Sequence, residues 1–162
     1  MSVITTPFGD MQVSESKIIH MKGGILGFEE ATRYLLFMQN REIPFGWFVS
    51  ADNPSIAFVV INSFVAEPEY EPVIPDSDAE LLEITSPDDA VVLSIVTINS
   101  NPFSVTVNLA APIVINAQKM LAKQVVINDQ RYSLQHSITD NKTLFEKKTG
   151  DGDDVLDAVT VR

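Results

Sequence analysis

The side chains able to do chemistry are few and scattered. His20 and His136 each lie in or beside an apolar strand-like run. Neither belongs to a His-x-His, His-x-x-x-His or paired-carboxylate pattern, so each reads as a strand residue rather than a metal ligand. No cysteine is present, which removes disulfides, thiolate metal sites and cysteine nucleophiles and makes a reducing cytoplasm the expected setting. No serine sits in a nucleophile elbow. Gly23-Gly24-Ile25-Leu26-Gly27 has the wrong spacing for a phosphate loop and no Lys-Ser/Thr pair after it; it reads as a shaped loop with Phe28 packing inward. Asp151-Gly152-Asp153-Asp154 hints at calcium but lacks the closing glutamate of a full loop. Glu67, Glu69 and Glu71 alternate; on one strand face they would repel one another and welcome basic groups. The residues thus predict no catalytic residue, no metal and no cofactor.

What remains is charge. The chain of 162 residues has a net charge of −11. Between Arg41 and Lys119 there is no lysine or arginine, while that interval holds eleven acids: Glu42, Asp52, Glu67, Glu69, Glu71, Asp76, Asp78, Glu80, Glu83, Asp88 and Asp89. The whole excess sits in the middle of the sequence. Such a chain repels nucleic acid, whose phosphates need clustered Lys and Arg. It attracts a basic partner and speeds the encounter. Solubility alone is the plainer reading of an acidic protein; the one-sidedness favours a partner equally.

The elements that carry these residues read as strands. Apolar residues make up 45%, rich in Val and Ile, which favours strands over helices. Turn signals recur every eight to twelve residues, the pattern of a barrel or sandwich. Residues 2–6 and 11–13 form a hairpin around Phe8-Gly9-Asp10. Further strands are expected at 17–21, 33–38, 46–50 and 56–61. Residues 90–98, apolar on both faces, form a central strand. Val105, Val107 and Leu109 alternate with Ser104, Thr106 and Asn108 on a half-buried strand. Pro112 bends the chain into a second strand, 113–115. Asn108 and Asn116 carry carboxamides suited to satisfying loop backbone. Strands at 124–127 and 131–134 would flank an Asn128-Asp129 turn. Three prolines with three acids make 67–75 an extended surface segment. A short helix should follow it, with Ser77 and Glu80 at capping-box spacing and Asp76 and Asp78 suiting its N-terminal dipole.

The expected class is therefore all-β: an antiparallel, barrel-like domain with one short helix. One domain is expected over 1–138 and a flexible, charged tail over 139–162. No secretory signal opens the chain, and its apolar runs are too short to span a bilayer as helices.

Taken in order, Gly23 to Glu30, Ala57-Phe58, Pro68 to Tyr70, Pro102-Phe103, Val107-Asn108-Leu109-Ala110-Ala111-Pro112-Ile113-Val114-Ile115-Asn116 and Lys123-Gln124 resemble the flagellar assembly factor FliW family from about residue 3 to 138. The chain departs from the family pattern at Trp47-Phe48-Val49-Ser50, where a Leu-Gln pair is usual, and at Ala122, where a glycine is usual. The resemblance implies an antiparallel barrel-like fold and no enzyme activity. It implies two protein partners: flagellin, held before export, and the carbon storage regulator CsrA, a basic RNA-binding translational repressor. Free protein would keep CsrA from flagellin mRNA, and accumulating flagellin would titrate it away. The expected contact residues are Glu67, Glu69, Tyr70, Glu71, Asp76, Asp78 and Phe103, with flagellin entering a groove as an apolar helix. Gly27, Phe28, Asn108, Pro112 and Asn116 are expected to be structural. A monomer when free, with no direct nucleic-acid or membrane contact, completes the expectation. The alternative is a small β-barrel ligand carrier or hydrolase that uses the Gly23–Gly27 loop and Trp47 as a pocket rim.

Overall fold

Alternating strands close on themselves when both edges find partners, which removes the exposed edges of an open sheet. The computed structural model describes residues 2–38, 44–141 and 144. Its strands are β1 (Ser2–Thr6), β2 (Gly9–Val13), β3 (Ile19–Met21), β4 (Arg33–Met38), β5 (Phe45–Ser50), β6 (Ala57–Asn62), β7 (Ala90–Ser100), β8 (Phe103–Val107), β9 (Ile113–Asn116), β10 (Leu121–Gln124) and β11 (His136–Ser137). Two short helices, α1 (Ser63–Ala66) and α2 (Asp76–Leu81), lie between β6 and β7. The order β7-β6-β5-β4-β3-β10-β9 returns to β7 and closes a seven-stranded barrel. Every neighbouring pair in it is antiparallel except β3 with β10, where His20 faces Leu121 and Met21 faces Ala122.

The barrel interior is filled by one face of each strand. Tyr34, Leu36 and Met38 of β4 point in, with Phe48, Val60, Val91, Leu93, Ile113 and Ile115. The opposite face of β4 is buried too: Leu35 and Phe37 pack with Ile4, Val13 and Ile18 beneath the β1–β2 hairpin. That second layer explains why β4 is apolar along both faces. On β9, Val114 points outward onto Leu82, Val125 and Ile127, so α2 covers that side of the wall. Val105, Val107 and Leu109 are buried as their alternation requires, in a third cluster with Val92, Val96, Tyr70 and Ile138.

Several elements differ from expectation. Among the described residues two α-helices, not one, lie between β6 and β7; Asn62 caps α1 by accepting from the Phe64 N–H at 2.9 Å. Pro75, not Ser77, occupies the N-cap of α2, and no side chain caps it. The capping box forms instead at Ser86–Asp89, on a 3-10 turn leading into β7. The strand expected from Lys17 begins at Ile19, after a 3-10 turn at Glu15–Lys17. Residues 125–134 form no hairpin. Their backbone bonds run to Pro112, Ala110 and Leu109 instead, which straps this stretch along the loop before β9. Phe28 does not pack inward: it is half-exposed, its ring edge-to-face with Phe58 at 5.2 Å. Of the expected tail, only 139–141 and 144 are described; Thr139 bonds both the N–H and C=O of Val105. The acidic run 151–154 and the apolar pairs Val155-Leu156 and Ala158-Val159 lie outside the described residues.

Candidate acidic interaction surface

Residues 67–75 run from the end of α1 to the start of α2 across the outside of the barrel. They form no strand, so Glu67, Glu69 and Glu71 do not share a strand face. Their path is fixed by Tyr70, expected at the surface but only 3% exposed. Its ring fills the cluster around Val105, Val107 and Leu109. Its hydroxyl donates to the Leu109 C=O at 2.5 Å. Burial, with the neighbouring Tyr132 second, pushes its phenol well above the usual tyrosine range. Tyr132 lies edge-to-face on Tyr70 at 4.7 Å, and its hydroxyl accepts from the Glu71 N–H at 2.9 Å. The segment expected to be extended begins with a turn at Pro68–Glu69, closed by the Tyr70 N–H on the Glu67 C=O at 3.0 Å, and an aromatic anchor reaches inward from its middle.

The fold then brings in the bases that the middle of the sequence lacks. Arg131 stands over the Tyr132 ring at 5.0 Å, grips Asp129 through two nitrogens, and lies 3.6 Å from Glu71. The Arg131 hydrogen bond holds the Asp129 carboxyl below its usual range, and the Asp129 hydrogen bond raises the guanidinium. His136 Nε2 lies 3.7 Å from Glu67. Lys123 pairs with Asp78, which is buried on α2. Lys119 lies 3.7 Å from Glu83. Glu69, Asp76 and Glu80 are exposed and have no ion pair among the described residues. Of the seven expected contact residues, Glu69 and Asp76 thus present free charge. Glu67 has the His136 imidazole beside it, Glu71 shares Arg131 with Asp129, Tyr70 and Asp78 are spent inside, and Phe103 lies apart at the tip of the β7–β8 hairpin, 55% exposed.

The structural assignments for the asparagines and Pro112 follow from their bonds. Asn116, buried at the end of β9, donates to the Leu82 and Glu83 carbonyls at 2.8 and 3.1 Å and accepts from the N–H groups of Gln118 and Lys119. It therefore ties the end of α2 to the β9–β10 turn. Glu83, just past the helix, sits in the left-handed region at φ 57°. Asn108 Oδ1 accepts from the Ala111 N–H at 2.8 Å, and Pro112, buried, accepts from the Val125 N–H. Beside Asn116 a cleft of about 500 Å³ opens between Glu80, Glu83, Asp89, Gln118 and Lys119. Asp89 is committed to its capping box and Glu83 lies 3.7 Å from Lys119, which leaves Glu80 as the lining carboxylate without an ion pair among the described residues. Sequence reading passed over Glu80 and Glu83 as contact residues. The signal available was their place on the same helix as Asp76, and Lys119, Lys123 and Arg131 were readable as the first counter-ions after the base-free interval.

The glycine loop is built, but not around Trp47. Gly23, Gly24 and Gly27 all have positive φ, and a Cβ on Gly24 would lie 2.7 Å from Glu29 Cα. The Gly27 N–H donates to Glu29, and this hydrogen bond holds its carboxyl below its usual range. Gln124 accepts from the Leu26 N–H at 2.9 Å and donates to the Ala111 C=O. The shallow cleft here, about 200 Å³, is lined by Lys22, Leu26, Lys123 and Val126 and not by Trp47. Trp47 lies on β5 against Phe8, ring centroids 5.5 Å apart. The pocket-rim alternative asked for both in one place, and the fold separates them. Among the described residues, no three His, Asp or Glu side chains group to hold a metal ion, and no helix is long and apolar enough to cross a membrane.

Residues 2–138 match the family model described as FliW protein. A flagellar assembly factor FliW from Syntrophus aciditrophicus is 48% identical over 142 residues, 88% of this chain and 90% of the relative. One from Geobacter sulfurreducens is 40% identical over 140 residues, 86% and 87% of the two chains. A crystal structure of the flagellar assembly factor FliW superposes with a TM-score of 0.77 at 34% identity, over 87% of this chain and 99% of the other.

Proposed function

The chain belongs to the FliW family, and from that premise we propose that it is a non-enzymatic flagellar assembly factor that binds flagellin and, when free of it, binds and antagonises the basic RNA-binding regulator CsrA. The observation that carries the CsrA part is the free negative charge of Glu69, Asp76 and Glu80 along 67–75 and α2. Lys123 and Lys119 stand against Asp78 and Glu83, and Arg131 is shared between Glu71 and Asp129, but these three have no ion pair among the described residues. Their field steers a basic partner toward this side of the barrel and speeds association without requiring a deep pocket. Flagellin accumulation would then occupy the protein and release CsrA onto its message, coupling flagellin level to its translation.

The test is the association rate of purified chain with CsrA, measured at rising ionic strength. The rate should fall as salt screens the field. The double variant Glu69→Lys, Asp76→Lys should slow association about tenfold at low salt while leaving thermal stability near that of the parent. An association rate insensitive to both salt and charge reversal would refute the electrostatic reading. Failure of the chain to co-purify with either flagellin or CsrA would refute the partner assignment as a whole.

A further inference from the structure

The outer face of the barrel wall is covered at two places. Under the β1–β2 hairpin, Leu35, Phe37 and Val49 pack with Ile4 and Val13. Further round, Ile61, Val96, Val105 and Val107 pack with Tyr70 and Ile138. Between these clusters β5, β6 and β7 turn apolar side chains outward, because Phe48, Val60 and Ile95 beside them point into the barrel. Trp47 stands opposite Val59 across the β5–β6 pair, and Ile98 follows two residues beyond Val96 on β7. Trp47 is 38% exposed and Ile98 55%, with Ala57 and Val59 half-buried between them. Phe8, at the hairpin turn, forms one rim with its ring edge-to-face on Trp47. Neighbouring strands lie about 4.8 Å apart, so the strip from β5 to β7 is about 10 Å wide.

No charged residue or histidine occurs in β5, β6, β7 or β8, in a chain of net charge −11. A neutral apolar strip calls for an apolar occupant, and the chain itself supplies one. Leu144 packs, partly buried, on the cluster that holds Val96 and against which Val59 also packs, so the chain passes position 144 at the border of the strip. Residues 145–162 follow, beyond the stretch that the family model matches, which ends at 138. At helical spacing Val155, Leu156, Ala158 and Val159 fall on one face, with Asp153, Asp154 and Asp157 on the other. A chain as long as the interval from Leu144 to Val155 spans about 18 Å on average, enough to lay that apolar face across the strip. Tethering at this length also supplies an effective concentration on the order of millimolar, so a contact too weak to hold two separate molecules holds within one.

We propose that the strip is the dock of the chain's own segment 155–159, with Leu156 and Val159 seated between Trp47 and Ile98 and with Asp153, Asp154 and Asp157 turned to solvent. Docking covers an apolar patch on an otherwise acidic molecule. The contact is intramolecular, so it is independent of protein concentration. It is also apolar, so it changes little with ionic strength, unlike the association of the acidic side with a basic partner.

Two features make the test direct: Trp47 is the single tryptophan, and the chain has no cysteine. In full-length protein, the double variant Leu156→Asp, Val159→Asp should shift Trp47 emission to the red and raise its quenching by acrylamide at least twofold. The far-UV spectrum and Tm should stay those of the parent. Independently, under mild oxidation, full-length protein carrying Ile98→Cys and Leu156→Cys should close an intramolecular disulfide at least tenfold faster than one carrying Val73→Cys and Leu156→Cys, a control at another exposed position. Trp47 emission and quenching indifferent to the double variant would overturn the proposal and leave the strip to a separate partner. Equal cross-linking from positions 98 and 73 would overturn it too. So would a Trp47 signal or a cross-link that grows with protein concentration, which would assign the strip to a second copy.

Discussion

Tyr34 and Tyr70 are both buried tyrosines, and the same substitution should move stability in opposite directions. Tyr34 lies inside the barrel with no measurable exposure, its ring stacked on Phe48 at 4.5 Å with the planes 8° apart. Its hydroxyl has no hydrogen-bond partner among the described residues. Burying a hydroxyl without a partner costs about 1–3 kcal/mol. Tyr34→Phe removes that oxygen, keeps the stacked ring and leaves only a one-atom void. The net effect should be a stabilisation of about 1–2 kcal/mol, which raises the Tm of a domain this size by about 2–8 °C.

A second readout comes from pH. Burial pushes the Tyr34 phenol up to about 12, against about 10 in the unfolded chain. Above pH 10 the unfolded chain releases this proton while the folded one keeps it. The stabilising contribution is therefore complete below pH 10 and is lost as pH rises through 12. Two pH units correspond to about 2.7 kcal/mol at most. In Tyr34→Phe this part of the alkaline loss disappears. Urea titrations followed by the single tryptophan, Trp47, at pH 7 and between pH 10 and 11.5, measure both effects. A loss of more than about 1 kcal/mol at pH 7 would refute the reasoning, because it would mean that the hydroxyl is bonded, as to a buried water.

Tyr70→Phe should instead destabilise by about 1–3 kcal/mol, since it strands the Leu109 carbonyl that the hydroxyl now serves; the same titration at pH 7 checks the sign. Asn116→Ala removes four backbone bonds at once and should cost about 2–4 kcal/mol, with protease sensitivity rising first around α2 and Glu83. Gly24→Ala forces a Cβ to 2.7 Å from Glu29 Cα at a φ of +69° and should cost about 1–3 kcal/mol by thermal unfolding; full stability in that variant would show that the loop can re-form around a side chain.

The strands were legible because the two-residue period survives wherever one face meets water. The alternation of Val105, Val107 and Leu109 placed all three in the core, and the two-sided apolarity expected over 90–98 marks a strand covered on both faces as far as Val96, with Thr97 and Ile98 exposed. The misplaced elements share a cause: backbone partners that are remote in sequence. Residues 125–134 have the composition of a hairpin, yet the Val125 and Ile127 N–H groups serve the Pro112 and Ala110 carbonyls and the Ser133 carbonyl accepts from Leu109 and Ala110, in the stretch between β8 and β9. Ser77 and Glu80 have capping-box spacing, but Pro75 sets the first turn of α2 and the box forms at Ser86, ahead of the strand it introduces. Tyr70 was read with its acidic neighbours as surface. Nothing local separates a tyrosine lying on a segment from one that pins it, because the deciding acceptor is the Leu109 carbonyl, thirty-nine residues on.

Charge shows the same division more sharply. Along the chain, the acidic interval 42–118 stands alone; in space, Lys119, Lys123, Arg131 and His136 fold back onto Glu83, Asp78, Glu71 and Glu67. Partly exposed ion pairs of this kind add little stability, so their main effect is on the field. Lys123 and Lys119 offset Asp78 and Glu83, Arg131 is shared between Glu71 and Asp129, and Glu69, Asp76 and Glu80 stand without an ion pair among the described residues. The association proposed above with a basic partner should therefore weaken as salt screens these three carboxylates, and an association rate that stays flat across an ionic-strength series would count against the assignment.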